Sequence, residues 1–426
     1  MADRIVRALL PLASFCFAIL LGLPGAGWVP DAGQYRLLAL GPGGAVPAPF
    51  SARILSPAIA GFLGRITGRG VDAGFLVLGI VCLIALLVLM ARLLQLLQTP
   101  TVIFAAIFLM PFWVDIFHDY YLPDPLHAAI LAAMLLCLLL GHSGWALLLL
   151  LPAYLAREST SLVAVCLLVA CWRRVPLRSA LIGVGALVCA AAVSRHYGQG
   201  GPVNVHQMTG GSYVLGKVVW SFFKNVLGFP LWSNTLPECT PLRVMAVPFG
   251  LHLGAIREVG VCPPSAWGPA RVLLAWFGLF GIGPALALAQ WRLSPWRRMT
   301  ALASADKQLP GEIAVLRFCV LYGLISILIT PLLGASVDRL VEYGWPFYFI
   351  VLPWFLSRVY DLRGRRAAGL CVLHLLTCWL AWFGFRQLTP GHLFVGLTVL
   401  VLNGVAYGLL RRASLSRKDW PEPARL

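Results

Sequence analysis

The sequence is short of charge. Only 12% of its 426 residues are Asp, Glu, Lys or Arg, against about 25% in an ordinary soluble domain. Too few polar side chains remain to cover a water-exposed surface, and 60% of the residues are hydrophobic. This excludes a soluble globular domain, a disordered chain, a disulfide-rich secreted scaffold and a fibre. Acids are the scarcest charges: 16 Asp and Glu stand against 33 Lys and Arg, a formal net charge of +17. Familiar catalytic motifs are missing as well. There is no GxxxxGK(S/T) phosphate loop, no HExxH, no GxSxG and no CxxC pair, which argues against ATP-driven work and zinc hydrolysis by their usual routes.

What the sequence does have is a series of long apolar runs. They lie near 8–24, 72–91, 100–117, 126–141, 179–193, 270–290, 312–333, 343–358, 368–384 and 392–410, each near the roughly 17–25 residues that cross a bilayer. Backbone polar groups in lipid need internal partners, so these runs are expected to be helices. The first run has no A-x-A-like cleavage site and reads as a retained helix. Basic clusters orient the set: Arg4 and Arg7; Arg173, Arg174 and Arg178; Arg292, Arg297, Arg298 and Lys307; Arg358, Arg363, Arg365 and Arg366; Arg411, Arg412, Arg417 and Lys418. All fall on the cytoplasmic side if the N-terminus does, provided that 144–171 is not one simple span. That segment carries Arg157 and Glu158 at its centre. Two half-helices meeting at 156–160 would return the chain to its starting side; a pair of full spans or one tilted helix are the alternatives.

The expected fold is therefore all-α: a polytopic membrane helical bundle of about ten full spans plus a broken half-helix pair, both termini cytoplasmic. It forms a single integral membrane domain over 1–426, with a first external loop at 25–70, a large external loop at 195–268 and a cytoplasmic tail at 413–426. The basic excess is absorbed by the orienting clusters and by headgroup attraction, so no nucleic-acid partner is expected. Of 11 Cys, only Cys239 and Cys262 fall in the large loop, either as a disulfide or as two unrelated thiols. The stretch 211–228, with Lys217 and Lys224 among aromatics, suits the headgroup plane. The isolated His196, His206 and His252 read as structural.

Because acids are few, their positions are informative. Asp31 and Tyr35 are four residues apart in WVPDAGQY, with Arg53 in the same loop. Asp31 is either a general base towards an acceptor hydroxyl or a helix N-cap. The stretch WVDIFHDYYLPDPLH holds Asp115, His118, Asp119, Asp124 and His127. Asp115 and Asp119 at i, i+4 share a helical face, which suits a divalent cation or sugar hydroxyls; the bland alternative is that Asp124 caps the next helix. Arg157 and Glu158 at the break either neutralise each other or offer a phosphate site. Asp338, Arg339, Glu342 and Tyr343 gather in VDRLVEYGW, either as a pyrophosphate contact at Arg339 or as interfacial anchors.

With these residues in view, the layout resembles the GT-C superfamily of polytopic glycosyltransferases. The resemblance is carried by Asp31 in PDAGQY, the Asp115 to Asp124 acids, the R-x-L-x-P pattern in PFSARILSPAIAGFL, LARESTSL, and VDRLVEYGWPF. It covers about 25–175 and 330–350; the large loop and the last two spans have no counterpart, and Asp31 stands alone where many members carry a paired acid. The resemblance implies sugar transfer from a polyprenyl-phosphate-linked donor to a lipid, glycan or protein acceptor, with inversion, at the external face of a bacterial inner membrane. Asp31 would be the base. Tyr35, His118, Asp124, Glu158 and Tyr343 would contact substrate. Asp115 and Asp119 would hold the acceptor or a divalent metal, and Arg53, Arg157 and Arg339 the donor phosphate. Partners would be the lipid-linked sugar and membrane lipids; no other cofactor is implied. Two rivals remain: an O-antigen ligase or polymerase using Arg195, His196 and His206, and a lipid or solute transporter, which the 144–171 break favours and the lack of an internal repeat opposes.

Overall fold

The computed structural model describes residues 2–24, 31–41, 46, 50–171, 175–198, 218–219, 221–228, 231–232, 240–242, 259–261, 267–291, 311–333, 337–358, 364–386 and 392–415. Helices dominate. They are α1 (Ala2–Gly22), α2 (Ala32–Leu40), α3 (Leu55–Thr67), α4 (Gly70–Leu96), α5 (Thr101–Phe108), α6 (Phe112–His118), α7 (Asp124–Leu139), α8 (Ser143–Leu148), α9 (Leu150–Ala156), α10 (Thr160–Ala170), α11 (Leu177–Gly198), α12 (Trp267–Gly278), α13 (Gly283–Trp291), α14 (Glu312–Leu333), α15 (Val337–Glu342), α16 (Leu352–Arg358), α17 (Gly364–Arg386) and α18 (His392–Leu415). The architecture is helical as expected, and the large loop adds a small antiparallel sheet of β1 (Leu231–Trp232), β2 (Thr240–Leu242) and β3 (Val259–Val261), in the order β1-β3-β2. Val261 pairs with both Leu231 and Thr240. Cys239, Cys262, His206, His252 and Lys217 lie outside the described residues.

Among the described residues, seven helices are long and apolar enough to cross a membrane: Asp3–Gly22, Gly70–Leu96, Thr101–His118, Leu177–Tyr197, Glu312–Ile329, Arg366–Phe385 and Phe394–Arg412. Their outward faces carry Leu20, Val88, Leu177, Val188, Leu328, Val372, Phe394 and Val401, all well exposed. So many large apolar side chains facing outward suit a hydrocarbon solvent, and the chain is a multi-pass helical membrane protein.

The expected count of ten uninterrupted spans is corrected in three places. The 126–141 run forms α7, only 16 residues, about 24 Å long against about 30 Å of hydrocarbon; the chain turns at Gly141, whose φ is 83°. The 270–290 run is cut at 279–282, where Gly281 has φ 57°. The 343–358 run contains a π turn at Phe347–Val351; Pro353 removes the amide that would bond the Phe349 carbonyl in a regular helix. The 144–171 run breaks where the sequence reading put it: α9 ends at Ala156, Arg157 is extended (φ −159°, ψ 130°) and α10 begins at Thr160.

Each interruption frees backbone groups that must find partners away from water. At Pro111, between α5 and α6, the missing amide orphans the Ile107 carbonyl, and the Trp113 indole donates to it at 2.8 Å. Trp379 Nε1 of α17 donates to the Leu109 carbonyl at 3.1 Å, and Ser14 Oγ of α1 donates to that of Phe108. The kink is thus clamped from both sides.

Small residues bring α2, α3 and α4 together. A Cβ at Gly61 would strike the Ala39 carbonyl, one at Gly64 the Gly70 carbonyl, and one at Gly74 the Ala60 carbonyl. Glycine here permits the backbone approach typical of close membrane helix pairs. Gly74→Val should therefore push α3 off α4 and cost about 1–3 kcal/mol, read as a lowered Tm in detergent. Gly404→Val in α18, where a Cβ meets open space, should leave Tm unchanged.

Candidate functional site

The break at 157–159 positions the site. Arg157 follows the C-terminus of α9, where the helix dipole favours a cation, and Asp124 opens α7, where it favours an anion. The two meet: Arg157 Nη1 donates to Asp124 Oδ1 and to the Tyr343 hydroxyl, and that hydroxyl donates to the same Asp124 oxygen. The Arg157 guanidinium also lies over the Tyr343 ring, 4.2 Å from its centre. Asp124 is 3% exposed and Arg157 5%. The residue at the capping position of α7 is Pro123, and the Asp124 carboxylate bonds Arg157 and Tyr343.

Around this centre lie two further ion pairs. Arg53 grips Glu158 with two bonds, Nε to Oε2 at 2.7 Å and Nη2 to Oε1 at 2.5 Å, and donates from Nη1 to the Tyr35 hydroxyl at 2.8 Å. Its loop is held by Ser194 of α11, which donates to the Ala52 carbonyl at 3.1 Å. On the other side Arg339 of α15 contacts Asp31 Oδ2 at 3.4 Å and stands 3.8 Å from Asp124 Oδ2. Asp31 occupies the position preceding α2 and makes no cap bond, which removes the capping alternative. His127 Nε2 pairs with Thr160 Oγ1 at 3.1 Å beside Asp124.

Asp115 and Asp119 take different partners. Asp119 stands at the capping position of α6, its amide still bonding the Asp115 carbonyl at 3.1 Å. Asp115 Oδ1 accepts from Trp382 Nε1 at 2.7 Å on α17. Asp119 lines a cavity with Asp124, His127, Tyr322, Arg339 and Tyr343, and contacts the His118 ring at 3.3 Å. Among the described residues no group of three or more His, Cys, Asp or Glu is arranged to hold a metal ion.

The cavity is tight, about 10 Å³, enough for about one water. Exposure grades outward from it: the side chain of Asp124 is 3% exposed, that of Asp31 31% and that of Glu158 40%. Burial pushes the Asp119 carboxyl above the usual range, although the His118 ring and Arg339 pull it down. Burial also raises the Tyr35 hydroxyl, against the neighbouring Arg53. For Arg339, burial alone would lower its pKa; the carboxylates around it, Asp124 foremost, outweigh that and hold it up.

Three buried polar atoms here make no hydrogen bond: Arg157 Nε, and Asp124 Oδ2 and Arg339 Nε, which face each other at 3.8 Å as an ion pair. Leaving buried groups without hydrogen bonds is costly. Comparison with known proteins adds nothing to this geometry: no family model, curated protein or solved structure matches the chain.

Tyr35, Arg53, His118, Asp119, Asp124, Arg157, Glu158, Arg339, Tyr343 and Asp31 thus form one continuous polar zone, and Asp115 does not belong to it. His127, singled out with the Asp115–Asp124 stretch, belongs too, and so do Thr160 and Tyr322, which were not anticipated and carry no sequence signal. Asp124→Ala should cost about 3–5 kcal/mol because it strands Arg157 without a counter-ion. The double variant Asp124→Leu with Arg157→Met should unfold at a higher denaturant concentration than Asp124→Ala alone, measured in detergent micelles.

Proposed function

We propose that this protein is a membrane glycosyltransferase of GT-C type that moves a sugar from a polyprenyl-phosphate-linked donor to a lipid, glycan or protein acceptor. The observation that carries the reading is Arg339: it joins Asp31, the lone acid of the first loop, at 3.4 Å to the Asp124–Arg157 centre, 3.8 Å away. A carboxylate at the rim and guanidinium groups behind it are what an inverting transfer from a lipid phosphate requires. The cavity is too small for a sugar, so the donor sits at the rim near Asp31, Glu158 and His118, with its phosphate towards Arg339.

In this reaction Asp31 takes the acceptor hydroxyl proton as the oxygen attacks the anomeric carbon. The bond from that carbon to the phosphate oxygen breaks, and the polyprenyl phosphate leaves with the bonding pair. Arg339 and Arg157 neutralise the charge that develops on it, an effect strengthened by the dry surroundings. Asp119 orients the acceptor; no metal is assigned to it. On this proposal the seven helices long enough to cross are joined by the shorter or broken runs at 126–141, 270–290 and 343–358, and an even number of crossings leaves both termini on the cytoplasmic side. The polar zone then faces the periplasm of a bacterial inner membrane.

A transport reading is favoured by the helix breaks, since discontinuous helices frequently line solute paths. One assay separates the two: the full chain in proteoliposomes with a polyprenyl-phosphate-linked radiolabelled hexose and bacterial membrane extract as acceptor source. Label should pass from the polyprenyl lipid to acceptor or water. Asp31→Asn should slow transfer by about 10²–10⁴-fold with donor binding retained. Arg339→Ala should weaken donor binding. Movement of intact donor across the bilayer, or full transfer by Asp31→Asn, would sink the proposal. Loss in Arg195→Ala or His206→Ala with Asp31→Asn unaffected would instead favour a ligase.

A further inference from the structure

A second polar cluster lies apart from the Asp31–Asp124 zone and uses different residues. Three helix interruptions converge there. The Pro111 kink presents Met110; the α12–α13 break presents Gly281; the π turn presents Tyr348, whose ring stacks on Phe280 at 3.9 Å. Met110 and Gly281 abut His374 of α17, Gly281 also meets Cys378, and Tyr348 lines one cavity with His374. Met110 Sδ lies 3.3 Å from His374 Nε2, and Cys378 Sγ lies 3.9 Å from the same nitrogen. Irregular backbone inside a membrane bundle is tolerated where it is buried or lines a cavity, and a cavity of about 40 Å³ opens beside this cluster, lined by Ile107, Ile282, Tyr348, Cys371 and His374.

We infer that Met110, His374 and Cys378 form a binding site for a soft monovalent metal ion of the Cu(I) class. An ion bound at about 2.0–2.1 Å to nitrogen and about 2.3 Å to sulfur holds those two atoms about 3.6–3.8 Å apart at tetrahedral to trigonal angles. The two observed separations bracket that range. Thioether, thiolate and imidazole together are the donor set that selects Cu(I) over hard cations. Charge balance points the same way. Of the three donors only Cys378 carries an ionisable thiol; Cys371 lines the neighbouring cavity. Cu(I) binding breaks the Cys378 S–H bond, releases its proton to water and forms a copper–sulfur bond without electron transfer, leaving the site neutral. A divalent ion would leave one positive charge among apolar helices, where charge is expensive.

The donors are also held in place. Met110 and Cys378 are 2% and 0% exposed. The Met110 backbone is fixed by the bonds that Trp113 and Trp379 make to the carbonyls of Ile107 and Leu109. Gly281, at φ 57°, packs against the imidazole and the thiol together: a Cβ there would strike His374 Nδ1 and crowd Cys378 Sγ. Glycine both permits the backbone conformation and leaves room for the ring and the thiol.

The test is an anaerobic titration of the full chain in nanodiscs with Cu(I), buffered by a competing Cu(I) chelator. One copper per chain should be taken from the chelator, with an X-ray absorption spectrum of two sulfurs and one nitrogen. Met110→Leu, which conserves core volume, and Cys378→Ser should each weaken binding on the order of tenfold or more. Should Cys378→Ser fail to fold, Met110→Leu decides alone. Failure to take copper from the chelator would overturn the proposal, as would unchanged binding in Met110→Leu, which would place the copper on other thiols. Zn(II) bound as tightly as Cu(I), with the same loss in both variants, would overturn the assignment to a monovalent ion.

Discussion

The pairing of Arg157 with Asp124 is the constraint on which the rest of the site depends. Arg157 stands where α9 stops and α10 has not begun, deep among apolar helices. A charge there must be paired, and one acid supplies the partner. That acid opens α7, so the pair fixes α7 against the break. Tyr343 joins both, which brings the chain before the π turn to the same point. Arg339, four residues earlier, is thereby delivered to Asp31, more than 300 positions away in the chain. One buried ion pair thus assembles residues from the first loop, the α6–α7 turn, the broken helix and α15.

The second organising theme is the managed helix break. A regular helix satisfies its own backbone and has no reason to gather side chains at one depth. Pro111, Gly281 and Pro353 each interrupt that regularity, and each interruption is closed by a different means: indole and hydroxyl donors at Pro111, glycine geometry at Gly281 and a π turn before Pro353. The freed segments then carry Met110, the Gly281 backbone and Tyr348 to the neighbourhood of His374. The break at Arg157 does the same for the acidic zone.

Much of the site was legible because the protein is so poor in acids. With 16 in the whole chain, each acid next to an apolar run was worth following, and Asp31, Asp119, Asp124 and Glu158 do meet in one zone with Arg53, Arg157 and Arg339. The break at 157–159 was legible because an Arg-Glu pair cannot sit unpartnered inside a lipid-crossing helix. Asp115 and Asp119 keep their i, i+4 backbone bond, yet tertiary packing gives them different partners, Trp382 of α17 for Asp115 and the cavity for Asp119. Span lengths were misread at 270–290 and 343–358 because hydropathy averages over residues and does not register a positive φ at Gly281 or a lost amide at Pro353.

The sequence by itself determined that this is a helical membrane protein, because composition and run length dictate the solvent and lipid forbids unpaired backbone. It also determined which charges would be expensive and therefore purposeful. Only the tertiary structure decided the pairings: Arg157 with Asp124 and not its neighbour Glu158, Glu158 with Arg53, Asp31 with Arg339, and Met110 with His374. Those choices depend on where helices end and cross, which is set by packing between segments far apart in the chain, and no local spacing encodes it.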